Sequence, residues 1–94
     1  MPKAEWNGAV IAETDTYETV EGNIYFPPSS IKKEFFTKTT HTTNCPWKGN
    51  ASYYSLVVNG ETNENAAWVY EAPLEKASNI KDHFAFWKGV SVTK

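Results

Sequence analysis

Cys45 is the single cysteine of the chain, and a thiol becomes a nucleophile when an imidazole or another positive group favours its thiolate. His41 stands four residues upstream and His83 far downstream, so either histidine could act on Cys45 once the fold brings it close. Lys48 and the turn expected at Pro46 add a positive charge and a bend beside the same sulfur. One expectation is therefore thiol chemistry, with Cys45 as nucleophile and His41 as base or orienting group. Its plain counterpart is a small buried hydrophobe. Metal chemistry is poorly served: one Cys and two His are the only soft ligands, and zinc wants three or four at suitable spacing. Glu13 and Asp15 place two carboxylates on one side of an extended backbone, a pair that could hold Mg²⁺ for phosphoryl or nucleotidyl transfer. The chain offers no Gly-rich phosphate loop and no Arg to neutralise a phosphate. Asp15 more simply fits a β-turn, and the expectation is no metal and no cofactor.

The aromatic residues carry the strongest signal. Four Trp, five Tyr and five Phe make up 15% of the sequence, more rings with polar tips than a small core needs. Trp47, Tyr53, Tyr54, Trp68, Tyr70 and Trp87, with Tyr25, gather near three strand segments and one Pro-containing turn. Such rings either fill the core with their tips at the surface or line a pocket that stacks on a flat ligand or cradles a cation. In the pocket reading Trp47, Trp68 and Trp87 stack, Tyr53, Tyr54 and Tyr70 hydrogen-bond, and Lys48 with Glu21 orients a polar group. Ser52 joins Lys48 and Glu21 at the rim. The implied partner is an unknown small molecule. A protein-interaction module, docking through an edge strand or aromatic surface, is the other alternative.

Composition bounds these readings. Ninety-four residues make one domain, residues 1–94. Nine Lys and no Arg face eleven acidic residues, a net charge of −2, which argues against a nucleic-acid partner. No stretch approaches eighteen consecutive apolar residues, so no membrane helix is expected. Met1 to Asn7 contains no apolar segment of the signal-peptide kind, which predicts a cytoplasmic protein, monomeric or weakly self-associating. Asn50-Ala51-Ser52 fits a glycosylation sequon and means little in that setting.

The elements that must position these side chains read as short strands. Ala9–Glu13 and Thr16–Val20 look like two strands of one hairpin, and Glu21-Gly22-Asn23 turns the chain into Ile24–Phe26. Pro27-Pro28-Ser29-Ser30 is suited to starting a helix of about two turns with Ile31 and Phe35 on one face. Lys38–Thr43 is polar and β-branched, a loop or an edge strand. Ala51–Val58 is the best strand, with Tyr53, Ser55 and Val57 on one side and Tyr54, Leu56 and Val58 on the other. Asn59-Gly60 is a type I′ hairpin signal. The returning strand lies near Ala66–Tyr70, preceded by a polar extension or bulge over Glu61–Asn65. Pro73–His83 is a polar connection, followed by strands at Phe84–Trp87 and Val90–Val92. About seven strands and one short helix predict an antiparallel, mainly β domain, a sandwich or open barrel.

The motifs Val20-Glu21-Gly22-Asn23-x-Tyr25-Phe26-Pro27, Cys45-Pro46-Trp47-Lys48-Gly49-x-Ala51-Ser52-Tyr53-Tyr54, Ala67-Trp68-x-Tyr70 and Ala85-Phe86-Trp87-x-Gly89-Val90 add a family resemblance. Together they resemble the bacterial domain-of-unknown-function family 427 (DUF427) over about Ala9 to Val92. That family also carries a nucleotidyltransferase-like label. The resemblance implies an all-β fold of the Mss4-like or β-tent kind, two antiparallel sheets leaning together. Members of that wider group bind zinc through paired Cys-x-x-Cys turns, use an aromatic cage between the sheets, or run thiol chemistry as methionine sulfoxide reductases do. This chain has neither Cys-x-x-Cys pair but does have the rings for a cage.

Overall fold

The computed structural model describes residues 1–94 as nine antiparallel strands and three 3₁₀ turns, so the mainly β class read from the sequence is the observed one. The strands are β1 (Lys3–Trp6), β2 (Ala9–Glu13), β3 (Glu18–Val20), β4 (Asn23–Tyr25), β5 (Phe36–Cys45), β6 (Gly49–Val58), β7 (Glu61–Val69), β8 (Phe84–Phe86) and β9 (Ser91–Thr93). They form three sheets, ordered β2-β1-β9, β3-β4 and β5-β6-β7-β8. The small β3-β4 sheet joins the edge of the largest one: Phe26 and Phe84 exchange both backbone hydrogen bonds at 2.8 Å.

The β5-β6-β7-β8 sheet organises the molecule, and its pleat sorts side chains to two faces. Strand β6 alternates as the sequence predicts, and its long run of β-branched and aromatic residues suits a strand packed on both sides. Leu56 and Val58 turn to a core shared with Ile11, Ala4 and Ala12 of the β2-β1-β9 sheet and with Phe26, Val69, Phe84 and Phe86. Ala51 and Tyr53 turn the other way, to a second cluster with Tyr25, Tyr70, Ala77, Ile80 and Ala85. Asn59 and Gly60 have φ of 51° and 78°, the left-handed pair that a type I′ turn requires. Lys38–Thr43 lies within β5, at the edge of its sheet.

Three local expectations are corrected. Ala9–Glu13 does pair in a hairpin, but with β1 and not with the strand at 16–20, because Asn7-Gly8 is itself a left-handed turn. Residues 18–20 pair with β4 instead. No two-turn helix forms after Pro27. Residues Pro28–Ser30 and Lys33–Phe35 are separate 3₁₀ turns, split where Ile31 bridges to Ala12 and the Lys32 N–H donates to the Ile11 carbonyl at 2.9 Å. A helix two turns long is marginal in water, and the free edge of β2 captures this backbone. The polar segment at 73–83 contains a 3₁₀ run, Glu75–Ile80, whose Ala77 and Ile80 are buried.

Candidate functional site

The predicted rings meet on the Tyr53 face of the β5-β6-β7-β8 sheet. Tyr53 and Trp68 are register neighbours on β6 and β7, and Ala85 of β8 follows across Trp68. Tyr70 and Trp87 stand just beyond the ends of β7 and β8, and backbone still holds both: the Trp87 N–H donates to the Ala66 carbonyl at 3.0 Å, and the Tyr70 carbonyl accepts from the Asp82 N–H at 3.0 Å. With Lys48 of the β5–β6 turn these four rings line a concavity of about 170 Å³. Three of the four rings are held by their polar tips. The Trp68 Nε1–H donates to the Tyr25 hydroxyl at 3.1 Å, and the Trp87 Nε1–H donates to the Asn65 carbonyl at 2.6 Å. The Tyr53 hydroxyl shares a hydrogen bond with Thr43 Oγ1 at 3.0 Å. Trp68 and Trp87 stand edge to face, centroids 6.1 Å apart, and Tyr53 lies 6.4 Å from Trp87.

Lys48 is the unusual member because its side chain is only 9% exposed. Local backbone explains the burial. Gly49 adopts φ of 108°, and a Cβ there would press to 3.4 Å from the Ala72 carbonyl and the Leu74 amide. The Leu74 N–H in turn donates to the Lys48 carbonyl at 2.9 Å. The ammonium forms an ion pair with Glu21, the tip of the β3–β4 hairpin, whose own side chain is 54% exposed. It also sits 5.4 Å from the centre of the Trp47 ring and 5.5 Å from that of Tyr70, within cation–π range. Burial pulls the Lys48 ammonium down, but the hydrogen bond to Glu21 and the acidic groups around it outweigh that, and the net shift is upward. The hydrogen bond from Lys48, then its charge, lowers the Glu21 carboxyl. Burial raises the phenols of Tyr25 and Tyr70 above their ordinary value. Lys48 is thus a fixed cation among neutral rings, which suits binding an oxygen and not acting as a neutral amine nucleophile.

Of the residues singled out in the sequence, Lys48, Tyr53, Trp68, Tyr70 and Trp87 line this pocket, with Tyr25 behind Trp68 and Glu21 behind Lys48. Trp47 lies beside the ammonium at the surface, 39% exposed, and is not part of the lining. Tyr54 is on the opposite face, packed against Phe84 at 5.1 Å and Phe36 at 6.4 Å, as its odd-even position on β6 requires. Ser52 shares that face and donates to the Glu71 carboxylate at 3.0 Å, which Lys38 also binds, so it is not at the rim.

Cys45 and His41 are not brought together. Three regular ladder positions separate Thr42 from Cys45, roughly 10 Å of strand. His41 lies instead on Tyr53, ring centroids 4.6 Å apart, while half-buried Cys45 packs beside the cluster of Tyr25 and Tyr70. His83 Nδ1 engages the Lys81 carbonyl at 2.8 Å. Glu13 and Asp15 are exposed, and no three His, Cys, Asp or Glu side chains converge on one point.

A second concavity on the same face escaped the sequence reading. It measures about 390 Å³ and is lined by Thr37, Thr39, Thr40, His41, Ser55, Val57, Thr62, Glu64 and Asn65. The larger of the two, it is polar and holds a single apolar side chain; ring faces and the buried cation belong to the smaller one. Its signal lay in the polar stretch 61–65, where β7 bulges opposite Ser55 and Asn65 turns to φ of 54°.

Comparison with known sequences agrees with the residue motifs. The family described as a domain of unknown function, DUF427, matches residues 2–93, nearly the whole chain. No curated protein matched the sequence.

Proposed function

We propose that this chain, which belongs to the DUF427 family, binds a small flat ligand in the pocket of Tyr53, Trp68, Tyr70 and Trp87, with an oxygen of that ligand on Lys48. The observation that carries the reading is the Lys48 ammonium, nine-tenths buried, at the wall of a hollow made of aromatic rings. An ammonium has three N–H donors, and Glu21 accepts one of them. A carboxylate or carbonyl oxygen entering the hollow would take another. At about 170 Å³ the space is smaller than most drug-sized sites, so it fits a single ring with an acidic group. The rings supply stacking faces, and their tethered tips keep those faces open before the ligand arrives, which lowers the ordering cost of binding. The nucleotidyltransferase-like label of the family finds little support in a surface without Arg and without converging carboxylates.

Intrinsic fluorescence tests the proposal, since Trp68 and Trp87 line the hollow. Titration with aromatic carboxylates such as para-hydroxybenzoate should give a saturable change. Lys48→Met should weaken that binding by roughly ten- to a hundredfold, the worth of a hydrogen bond to a charged group. Saturable binding that is indifferent to Lys48→Met would overturn the assignment of the oxygen site. No saturable change with any flat carboxylate or carbonyl compound would overturn the pocket reading.

A further inference from the structure

The two concavities on the Tyr53 face share a wall. His41 lines the polar trough and lies on Tyr53, which lines the aromatic pocket. Asn65 lines the trough while its carbonyl holds Trp87 of the pocket. The Tyr53–Trp87 pair is therefore the place where one hollow meets the other. From Tyr53 the trough runs past Ser55 to Val57, roughly 13 Å of strand β6. We infer that the face is one elongated cleft for a glycosylated aromatic acid, with the ring against Lys48 and a neutral, hydroxyl-rich group in the trough. This inference rests on the pocket reading above.

The chemistry of the trough selects the second group. Of its nine lining side chains only Val57 is apolar, which does not suit a lipid tail or an apolar peptide. No Lys lines it and Glu64 does, which disfavours phosphate or any other anion. What remains is dense in Thr and Ser hydroxyls and one amide, groups that donate and accept at once, as sugar hydroxyls do. Several are already oriented. The Thr39 hydroxyl donates to Asn65 Oδ1 at 2.7 Å, and the Asn65 N–H donates to Ser55 Oγ at 3.1 Å. Those bonds leave the Ser55 hydroxyl hydrogen and the Asn65 amide N–H groups without a protein acceptor. Its volume of about 390 Å³ lies in the ordinary range for small-molecule sites.

The test compares para-hydroxybenzoate with its O-β-glucoside by Trp fluorescence, on the unaltered protein and on the double variant Thr37→Val, Thr62→Val. Both threonines are exposed, and Val keeps their shape and strand preference. The glucoside should bind the unaltered protein roughly tenfold more tightly, as two added hydrogen bonds would give. The double variant should lose that gain while its Kd for para-hydroxybenzoate stays unchanged, which also shows that the variant is folded. Equal Kd values for the two compounds, or a gain that survives the double substitution, would overturn the inference and leave the pocket reading standing. Failure of both compounds to bind would overturn the pocket reading and the inference with it.

Discussion

The two faces of the β5-β6-β7-β8 sheet both gather aromatic rings, yet one face closes and the other stays open. On the Tyr54 face, Phe26–Phe86, Phe36–Phe84, Phe36–Phe86 and Tyr54–Phe84 meet at 5.5, 5.4, 5.9 and 5.1 Å, with Phe36–Tyr54 wider at 6.4 Å, mostly phenyl rings with nothing to tether them. On the Tyr53 face, Tyr25–Trp68, Trp68–Trp87 and Tyr53–Trp87 stand 6.3, 6.1 and 6.4 Å apart. The difference lies in the tips. Phenyl rings have no polar atom to satisfy and settle wherever dispersion is greatest. The indole and phenol tips are claimed by Tyr25, Asn65 and Thr43, and those hydrogen bonds hold the rings apart around a hollow.

Substitutions on opposite faces should break this contrast most visibly. Phe84→Ala, in the closed face, should destabilise the fold by about 3–5 kcal/mol, read from denaturant unfolding. Trp87→Ala, in the open face and 46% exposed, should cost only about 1 kcal/mol while weakening ligand binding as read by the remaining Trp68. Comparable losses of stability from the two would mean that the open face is core like the other. Gly49→Ala should cost about 1–3 kcal/mol, because φ of 108° strains any L side chain and its Cβ would crowd the Ala72 carbonyl. It should also weaken ligand binding by moving Lys48. Unchanged stability would show that the turn before β6 relaxes freely.

The titrating groups sharpen the contrast further. The carboxyl of Glu21 is lowered by Lys48, so its contribution is present above pH 4.5 and is lost as pH falls below that. Lys48, Tyr25 and Tyr70 are all raised, so their contributions are present below about pH 10 and are lost as pH rises from there. Tm should therefore fall at both ends. Lys48→Met should flatten the acid limb, leaving there the part due to Glu71, which Lys38 lowers, while the alkaline limb persists because burial and not Lys48 raises Tyr25 and Tyr70. A Tm profile for Lys48→Met parallel to the unaltered one would remove the ion pair from the account. The smallest effect concerns Cys45. Half-buried and without an imidazole in contact, it should react with iodoacetamide at pH 7 no faster than a free thiol. Faster labelling would reopen thiol chemistry beside the pocket.

The face assignments were legible because strand alternation is strict: once Ala51–Val58 is a strand, Tyr53 and Tyr54 must part, so the aromatic residues cannot all share one pocket. The turn at Asn59-Gly60 was legible from its residue types, and the same signal at Asn7-Gly8 marks the β1–β2 hairpin. What stayed hidden depends on tertiary pairing. Ile31 has the spacing of a helix face, but the edge of β2 decides its conformation. His41 has the spacing of a base for Cys45, but strand rise carries it to Tyr53 instead. The trough was invisible because Thr and Ser on an exposed strand look the same whether the sheet is flat or concave.

The most direct measurement is residue-resolved: the indole N–H signals of the four Trp residues, followed by nuclear magnetic resonance as para-hydroxybenzoate is added. Trp68 and Trp87 should shift together and saturate at one Kd, while Trp6, packed against the other core, stays in place. Uniform small shifts of all four, or movement of Trp6 with Trp68 and Trp87 still, would contradict a binding hollow on the Tyr53 face.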